Sequence, residues 1–367
     1  MNSSFFTQRY ADRPYLAIWE TTRACDLACI HCRADAQSKR YPDELNTQQA
    51  LNLIRELKQW QVPLFVMTGG DPLKRDDLML LVETCASQGM NFALAPSATP
   101  LLTDQKLMDL KRAGVHRISI SLDGATSDSH DAFRQVPGTF NRSLSIAQKI
   151  RELGIHLQIN TTVSRHNQFE IEAIAQLIRP LSIDLWSVFF LVPTGRATAQ
   201  QALNALETER ALHQLYDILK QGWFDVKTTE AHHFRRIILQ KAQLLPDQLF
   251  NNSVPHLDPW VVRASRGISD GRGFVFISHT GEVFPSGFFP LSAGNIKTEP
   301  LTSIYQTSPL FQMLRNADLL KGKCGRCDYR WICGGSRARS YALTQEIMGS
   351  DPYCAYQPET QPASSLS

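Results

Sequence analysis

Thr22-Arg23-Ala24-Cys25-Asp26-Leu27-Ala28-Cys29-Ile30-His31-Cys32 places three cysteines at C-x3-C-x2-C spacing directly after the first strand-like run of the chain. Three thiolates on so short a loop can hold three irons of a cubane iron-sulfur cluster, and nothing in the loop supplies a fourth ligand, so one iron stays open to a substrate or cofactor. A zinc site or a redox thiol pair is the competing reading. Zinc favours four closed ligands in C-x2-C pairs, and His31, fixed between Ile30 and Cys32, is poorly placed to complete a tetrahedron.

Outward from this loop, residues 14–197 alternate short β-branched or aromatic runs with longer stretches of helical periodicity, the pattern of repeated βα units around a parallel sheet. Six strands are predicted, over 15–21, 63–68, 92–96, 116–122, 156–163 and 185–192. Asn46 and Thr103 open helices between them, and Gly89, Gly114 and Gly154 stand where a helix ends and a strand begins. The fold class is therefore α/β, a six-unit (βα)6 partial barrel over 14–200, with ligands gathering at the carboxyl ends of its strands. Residues 200–243 read as mostly helical and 244–259 as a linker, so that 201–260 form a connecting segment. From 261 to 358 the texture changes: residues 273–288 alternate as a β-hairpin around His279-Thr280-Gly281-Glu282, and one helix near 303–315 leads into a cysteine cluster.

The 367 residues are 43% hydrophobic, enough for one large core or two unequal ones. With 38 basic and 35 acidic residues the formal charge is +3, which implies neither nucleic acid nor a membrane surface as partner. The amino terminus lacks the apolar core of a signal peptide and no run reaches membrane-spanning length, so a cytoplasmic location is expected. In that compartment eight cysteines stay reduced, which favours metal ligation over disulfides. Cys85 falls on the apolar face of a helix with Leu78, Leu81 and Val82 and reads as core.

Thr68-Gly69-Gly70-Asp71-Pro72 follows the second strand. Adjacent glycines let the backbone approach a ligand, and their carbonyls can accept from an ammonium group; an ordinary strand-to-loop turn is the alternative. Together with the cysteine triplet and the ring residue before its last cysteine, the segment resembles the radical S-adenosylmethionine (SAM) superfamily. There the open iron chelates the amino and carboxylate groups of SAM, and an electron from the cluster cleaves SAM to methionine and a 5′-deoxyadenosyl radical. Asp71 stands where the family commonly has glutamate. The resemblance implies SAM contacts from His31 against the adenine, from Gly69, Gly70 and Asp71 at the methionine amine, and from Ser97, Thr99, Ser121, Asp123 and Asn160 at later strand ends. It also implies an external electron donor such as a flavodoxin or ferredoxin.

Cys324-Gly-Arg-Cys327-x5-Cys333, with Cys354 further on, forms a closed set of four. Zinc and an auxiliary 4Fe-4S cluster both suit four thiolates. The set and the hairpin before it resemble the C-terminal SPASM domain of peptide- and cofactor-maturing radical SAM enzymes. Full SPASM domains carry seven cysteines and two auxiliary clusters; here Ser286 stands at the hairpin position and Gly334-Gly335-Ser336 follows Cys333, so one auxiliary cluster is expected. That reduced pattern resembles the radical SAM enzymes of haem d1 and alternative haem biosynthesis, which act on tetrapyrrole propionates. Arg196 at the end of the sixth strand and Arg134 are the cations that a propionate would require. A ribosomally made peptide is the second substrate class, and a non-catalytic zinc or electron-transfer protein is the alternative of another kind.

Overall fold

In the computed structural model, which describes residues 10–249 and 258–358, strands with alternating burial carry the architecture. Strand β1 (Leu16–Glu20) points Ala17 and Trp19 into the packed core while Leu16 and Ile18 face an interior cavity; β2 (Leu64–Thr68) does the same with Phe65 and Met67 against Leu64 and Val66. The period-two pattern thus separates two interiors, one of packed helices and one that is hollow. Strands β3 (Phe92–Leu94), β4 (Arg117–Ser121), β5 (His156–Val163) and β6 (Leu185–Phe190) continue the parallel array, each within a few residues of its expected position.

The expected helix signals are realised. Asn46 and Gln49 form a reciprocal capping box at the start of Thr47–Gln59, and Thr103 accepts from Lys106 N–H at the start of Asp104–Arg112. Cys85 is fully buried in the helix Leu78–Ser87, where burial raises its thiol to about 12.

Three details refine the expectations. The span 200–243 is mostly helical as expected, but between helices Ala205–Lys220 and Phe234–Lys241 lies an unexpected strand, β7 (Asp225–Thr229), parallel to β6 over Leu185↔Asp225 to Phe189↔Thr229. The barrel therefore has a seventh strand. The expected hairpin forms, β8 (Phe274–Ile277) and β9 (Glu282–Phe284), with β10 (Gly294–Asn295) beyond it, and it joins the sheet of the barrel. β8 pairs parallel with β1 over Leu16↔Phe274 to Trp19↔Ile277, giving one ten-stranded sheet in the order β10-β9-β8-β1-β2-β3-β4-β5-β6-β7. Finally, the single helix near 303–315 is two, Leu301–Thr307 and Pro309–Arg315, because Pro309 has no N–H to continue the first and opens the second. The middle of the expected linker, residues 250–257, lies outside the described residues. Among the described residues no helix is long and apolar enough to cross a membrane.

Candidate functional site

The cysteine loop leaves β1 and is pinned by backbone bonds. Cys25 N–H donates to Gln37 O at 2.7 Å, Gln37 N–H to Arg23 O at 3.0 Å, and Ile30 N–H to Phe133 O at 3.1 Å. The loop after β2 locks against it, with Gly70 N–H on Thr22 O and Asp71 N–H on Ala24 O, both at 2.7 Å. This contact explains the paired glycines. A Cβ on Gly69 (φ +154°) would stand 2.5 Å from Thr22 O, and one on Gly70 would stand 2.4 Å from Ala24 O. The space given up is filled by the cysteine loop rather than reserved for a ligand. Both glycines still line the cavity, and the Gly70 carbonyl accepts from Ser97 Oγ at 2.9 Å.

All three thiols are free and open onto one cavity of about 590 Å³ that extends along the inside of the barrel. Each has a donor nearby. Leu27 N–H reaches Cys25 Sγ at 3.4 Å, with Ser97 Oγ at 3.5 Å; Arg134 Nη1 reaches Cys29 Sγ at 3.5 Å; Ala36 N–H reaches Cys32 Sγ at 3.4 Å. Burial raises the Cys25 and Cys29 thiols, and the Ser97 bond at Cys25 and the Arg134 charge at Cys29 partly oppose it. Bound iron would deprotonate them outright, and the surrounding donors suit sulfurs that carry negative charge. Three thiols, their donors and an adjoining cavity fit a 4Fe-4S cluster with one iron open.

His31, Gly69, Gly70, Ser97, Ser121, Asn160 and Arg134 line the cavity, whereas Asp71, Thr99, Asp123 and Arg196 do not. Asp71 is fully buried and turns inward, accepting from Leu73 N–H at 3.1 Å and Thr99 Oγ1 at 2.8 Å, so it ties the loops after β2 and β3 together. Asp123 is equally buried, accepting from Thr162 N–H at 2.7 Å and pairing with Arg134. Although burial works to neutralise Arg134, Asp123 and then the Cys29 thiol hold its pKa above the usual guanidinium value. Arg196 stands beside the cysteine loop: its N–H donates to Cys32 O at 3.0 Å, and its guanidinium faces the Cys32 thiol and Asp35, 3.6 Å away. Arg134 and Arg196 thus act on the cysteine loop. His31 lines the cavity and stacks on Phe133 at 4.1 Å; burial lowers its imidazole to about 3, leaving a neutral ring of the kind an adenine packs against.

Two supports were not legible beforehand. Gly195 (φ +60°) lies so close to the loop that a Cβ would meet Cys32 O at 2.3 Å. Glu20, at the end of β1, pairs with Arg33 and accepts from His279 Nδ1 at 2.8 Å, while Arg33 also donates to Gly287 O at 3.1 Å and lies 4.5 Å over the Phe276 ring. Burial would raise the Glu20 carboxyl, but Arg33, His279 and Arg23 outweigh it and bring it to about 2. The hairpin is thereby strapped to the cysteine loop through a buried charge network.

Cys324, Cys327, Cys333 and Cys354 surround a second, much smaller pocket of about 20 Å³, lined also by His233, Arg236 and Tyr329. Asp351 N–H reaches Cys324 Sγ and Gly335 N–H reaches Cys333 Sγ, both at 3.4 Å. Burial raises the thiols of Cys327, Cys333 and Cys354, the last to about 11. Four free thiols lining one pocket are, in type and number, the donor set of a closed cluster. Ser286 is not among them: its Oγ donates to Glu230 Oε1 at 3.2 Å, and Ser336 bonds the other oxygen of Glu230. Ser286 therefore serves a buried carboxyl and not the four-cysteine pocket.

Residues 19–178 match the radical SAM superfamily, and residues 269–328 match SPASM, an iron-sulfur cluster-binding domain. The AdoMet-dependent heme synthase of Oleidesulfovibrio alaskensis is 39% identical over 95% of this chain and 89% of that protein. The enzyme of the same name from Nitratidesulfovibrio vulgaris is 39% identical over 94% of this chain and 92% of that protein. Among solved structures, SuiB of Streptococcus suis superposes with a TM-score of 0.72 at 19% identity, over 94% of this chain and 78% of that one, a likeness of fold.

Proposed function

The chain belongs to the radical SAM superfamily and is an enzyme of it, and from that premise we propose that its substrate is a haem-type tetrapyrrole attacked at a propionate side chain. Cys25, Cys29 and Cys32 would hold the SAM-binding cluster, and Cys324, Cys327, Cys333 and Cys354 an auxiliary one. Bound there, the first cluster would supply the one-electron reduction of SAM to a 5′-deoxyadenosyl radical able to take a hydrogen atom from the substrate. The protein's own part is placement. Ser97, Ser121 and Asn160 offer hydroxyl and amide groups to SAM from three strand ends, and His31 offers its ring face. Phe189, Phe276 and Phe288 supply flat apolar walls suited to a macrocycle, with Phe189 and Phe288 rings 6.3 Å apart. An external one-electron donor such as a flavodoxin or ferredoxin, and a cytoplasmic site of action, complete the proposal.

The observation that carries this reading is near-full-length similarity to two haem synthases joined to a barrel cavity of about 590 Å³. The test is anaerobic incubation of reconstituted protein with reductant, SAM and iron coproporphyrin. Substrate-dependent 5′-deoxyadenosine release and a mass change on the porphyrin are expected. Turnover of a genomically neighbouring peptide, with the porphyrin untouched, would overturn the reading in favour of peptide maturation.

A further inference from the structure

Away from the cysteine loop, the barrel cavity has a wall of cations. Lys227 projects from β7 at the level of Ser187 on β6, and Arg117 opens β4; both line the cavity. Among the described residues neither has an ion pair or side-chain hydrogen bond. Arg263 and Arg266, from the helix Pro259–Ser265 and its end, line the same cavity. Arg263 pairs with Asp225 through one nitrogen, while its Nη1 is buried without a partner; Arg266 donates to the Tyr15 hydroxyl at 2.8 Å. With Arg235, which donates to the Ile332 and Ile268 carbonyls, five cations therefore line this part of the hollow, and among the described residues Asp225 is the one carboxylate paired with any of them.

The cavity's own carboxyls do not neutralise this wall. Glu230 is occupied by Ser286 and Ser336, and Asp270 accepts from Arg337 and Ala338 N–H at 2.7 and 3.0 Å. Burial raises both toward their neutral forms. An interior lysine with no counter-ion is costly, because its ammonium loses hydration without an opposite charge in return. The strain registers at Lys227, where burial first and then Arg117 bring the ammonium down to about 8. Arg117 also acts on Arg263, so these groups share one electrostatic neighbourhood. An anion entering the cavity would relieve all of them at once.

We propose that Lys227 and Arg117, with Arg263 behind them, anchor a carboxylate of the substrate inside the barrel. The inference rests on the tetrapyrrole reading and goes beyond it by assigning the recognition of a propionate to these residues instead of Arg134 and Arg196, which serve the cysteine loop. A substrate held by one propionate at this wall would be oriented for reaction at another part of the ring.

The test compares coproporphyrin with its tetramethyl ester, titrated by fluorescence quenching into reconstituted wild type, Lys227→Met, Arg117→Gln and the charge-conserving Lys227→Arg. Wild type should prefer the free acid. Lys227→Met and Arg117→Gln should each weaken free-acid binding about tenfold or more, the scale of one lost charge-assisted bond. Ester binding should move less than about twofold, and Lys227→Arg should keep the acid preference. Equal binding of acid and ester by wild type, or acid binding by both neutral variants within about twofold of wild type, would overturn the anchor while leaving the tetrapyrrole reading in place. Failure of wild type to bind either porphyrin would overturn that reading and the anchor with it.

Discussion

The two cysteine groups of this chain are built from the same thiols and differ in what surrounds them. Cys25, Cys29 and Cys32 face a cavity of about 590 Å³ together with glycine backbone, hydroxyls and an amide; Cys324, Cys327, Cys333 and Cys354 enclose a pocket of about 20 Å³. Three ligands beside a large cavity leave room for a molecule at the cluster, whereas four ligands around a small pocket close the coordination and leave electron transfer, positioning or stability. The supports differ accordingly. The first loop is clamped from outside by Gly69, Gly70, Gly195 and the Glu20–Arg33–His279 network, so its backbone is fixed while its cysteines line the cavity. The second is enclosed mainly by its own segment, closed on one side by His233 and Arg236 at the helix Phe234–Lys241, with Asp351 tied to Arg339 and Ser336 N–H beside the cysteines.

The most severe break of this contrast is Cys25, Cys29 and Cys32 changed together to Ala. Iron should fall by about half, and 5′-deoxyadenosine release should drop by about a thousandfold or more, measured anaerobically by chromatography. Next, Cys333→Ala should remove the auxiliary cluster and cut substrate turnover about a hundredfold, while SAM cleavage without substrate stays within a few-fold of wild type; parallel collapse of both activities would erase the distinction between the groups.

Gly70→Val sharpens the account of the clamp. Its side chain would collide with Ala24 and Arg23 carbonyls, so cluster content and SAM affinity should fall together by about tenfold. Loss of SAM affinity with an unchanged cluster spectrum would return the glycines to a purely ligand-facing role.

The smallest effect concerns the strap. Because folding lowers the Glu20 carboxyl from 4.5 to about 2, its contribution is complete above about pH 4.5 and is lost as pH falls from there toward 2. Glu20→Gln should therefore cost about 3 kcal/mol at pH 7 and the same at pH 5.5, read by urea denaturation under anaerobic conditions. A penalty that shrinks between those values would assign the titration to another group.

The six strands and their helix boundaries were readable because each signal is local: a β-branched run, a capping Asn or Thr, a glycine past a helix end. β7 was not, since Asp-Val-Lys-Thr-Thr is short and polar and becomes a strand by pairing with β6. For the same reason nothing in the sequence marks Lys227, which reaches the cavity through the pairing of β7 with β6. The cysteines and glycines were legible as types and spacings. Their neighbours were not: carboxylates at strand ends suggested ligands, yet Asp71 and Asp123 turn away from the cavity to hold Thr99 and Arg134. Which way a short polar side chain turns depends on what packs behind it, and local sequence does not carry that.

The most direct measurement takes Cys333→Ala protein, reconstituted and reduced by one electron, and adds SAM labelled with 17O in its carboxylate or 15N at its amine for electron-nuclear double resonance. Hyperfine coupling from both labels to the one remaining cluster, held by Cys25, Cys29 and Cys32, is expected. Absence of coupling from a fully loaded cluster, or coupling that persists when those three cysteines are replaced and only the four-cysteine site is intact, would contradict the assignment of SAM to that cluster.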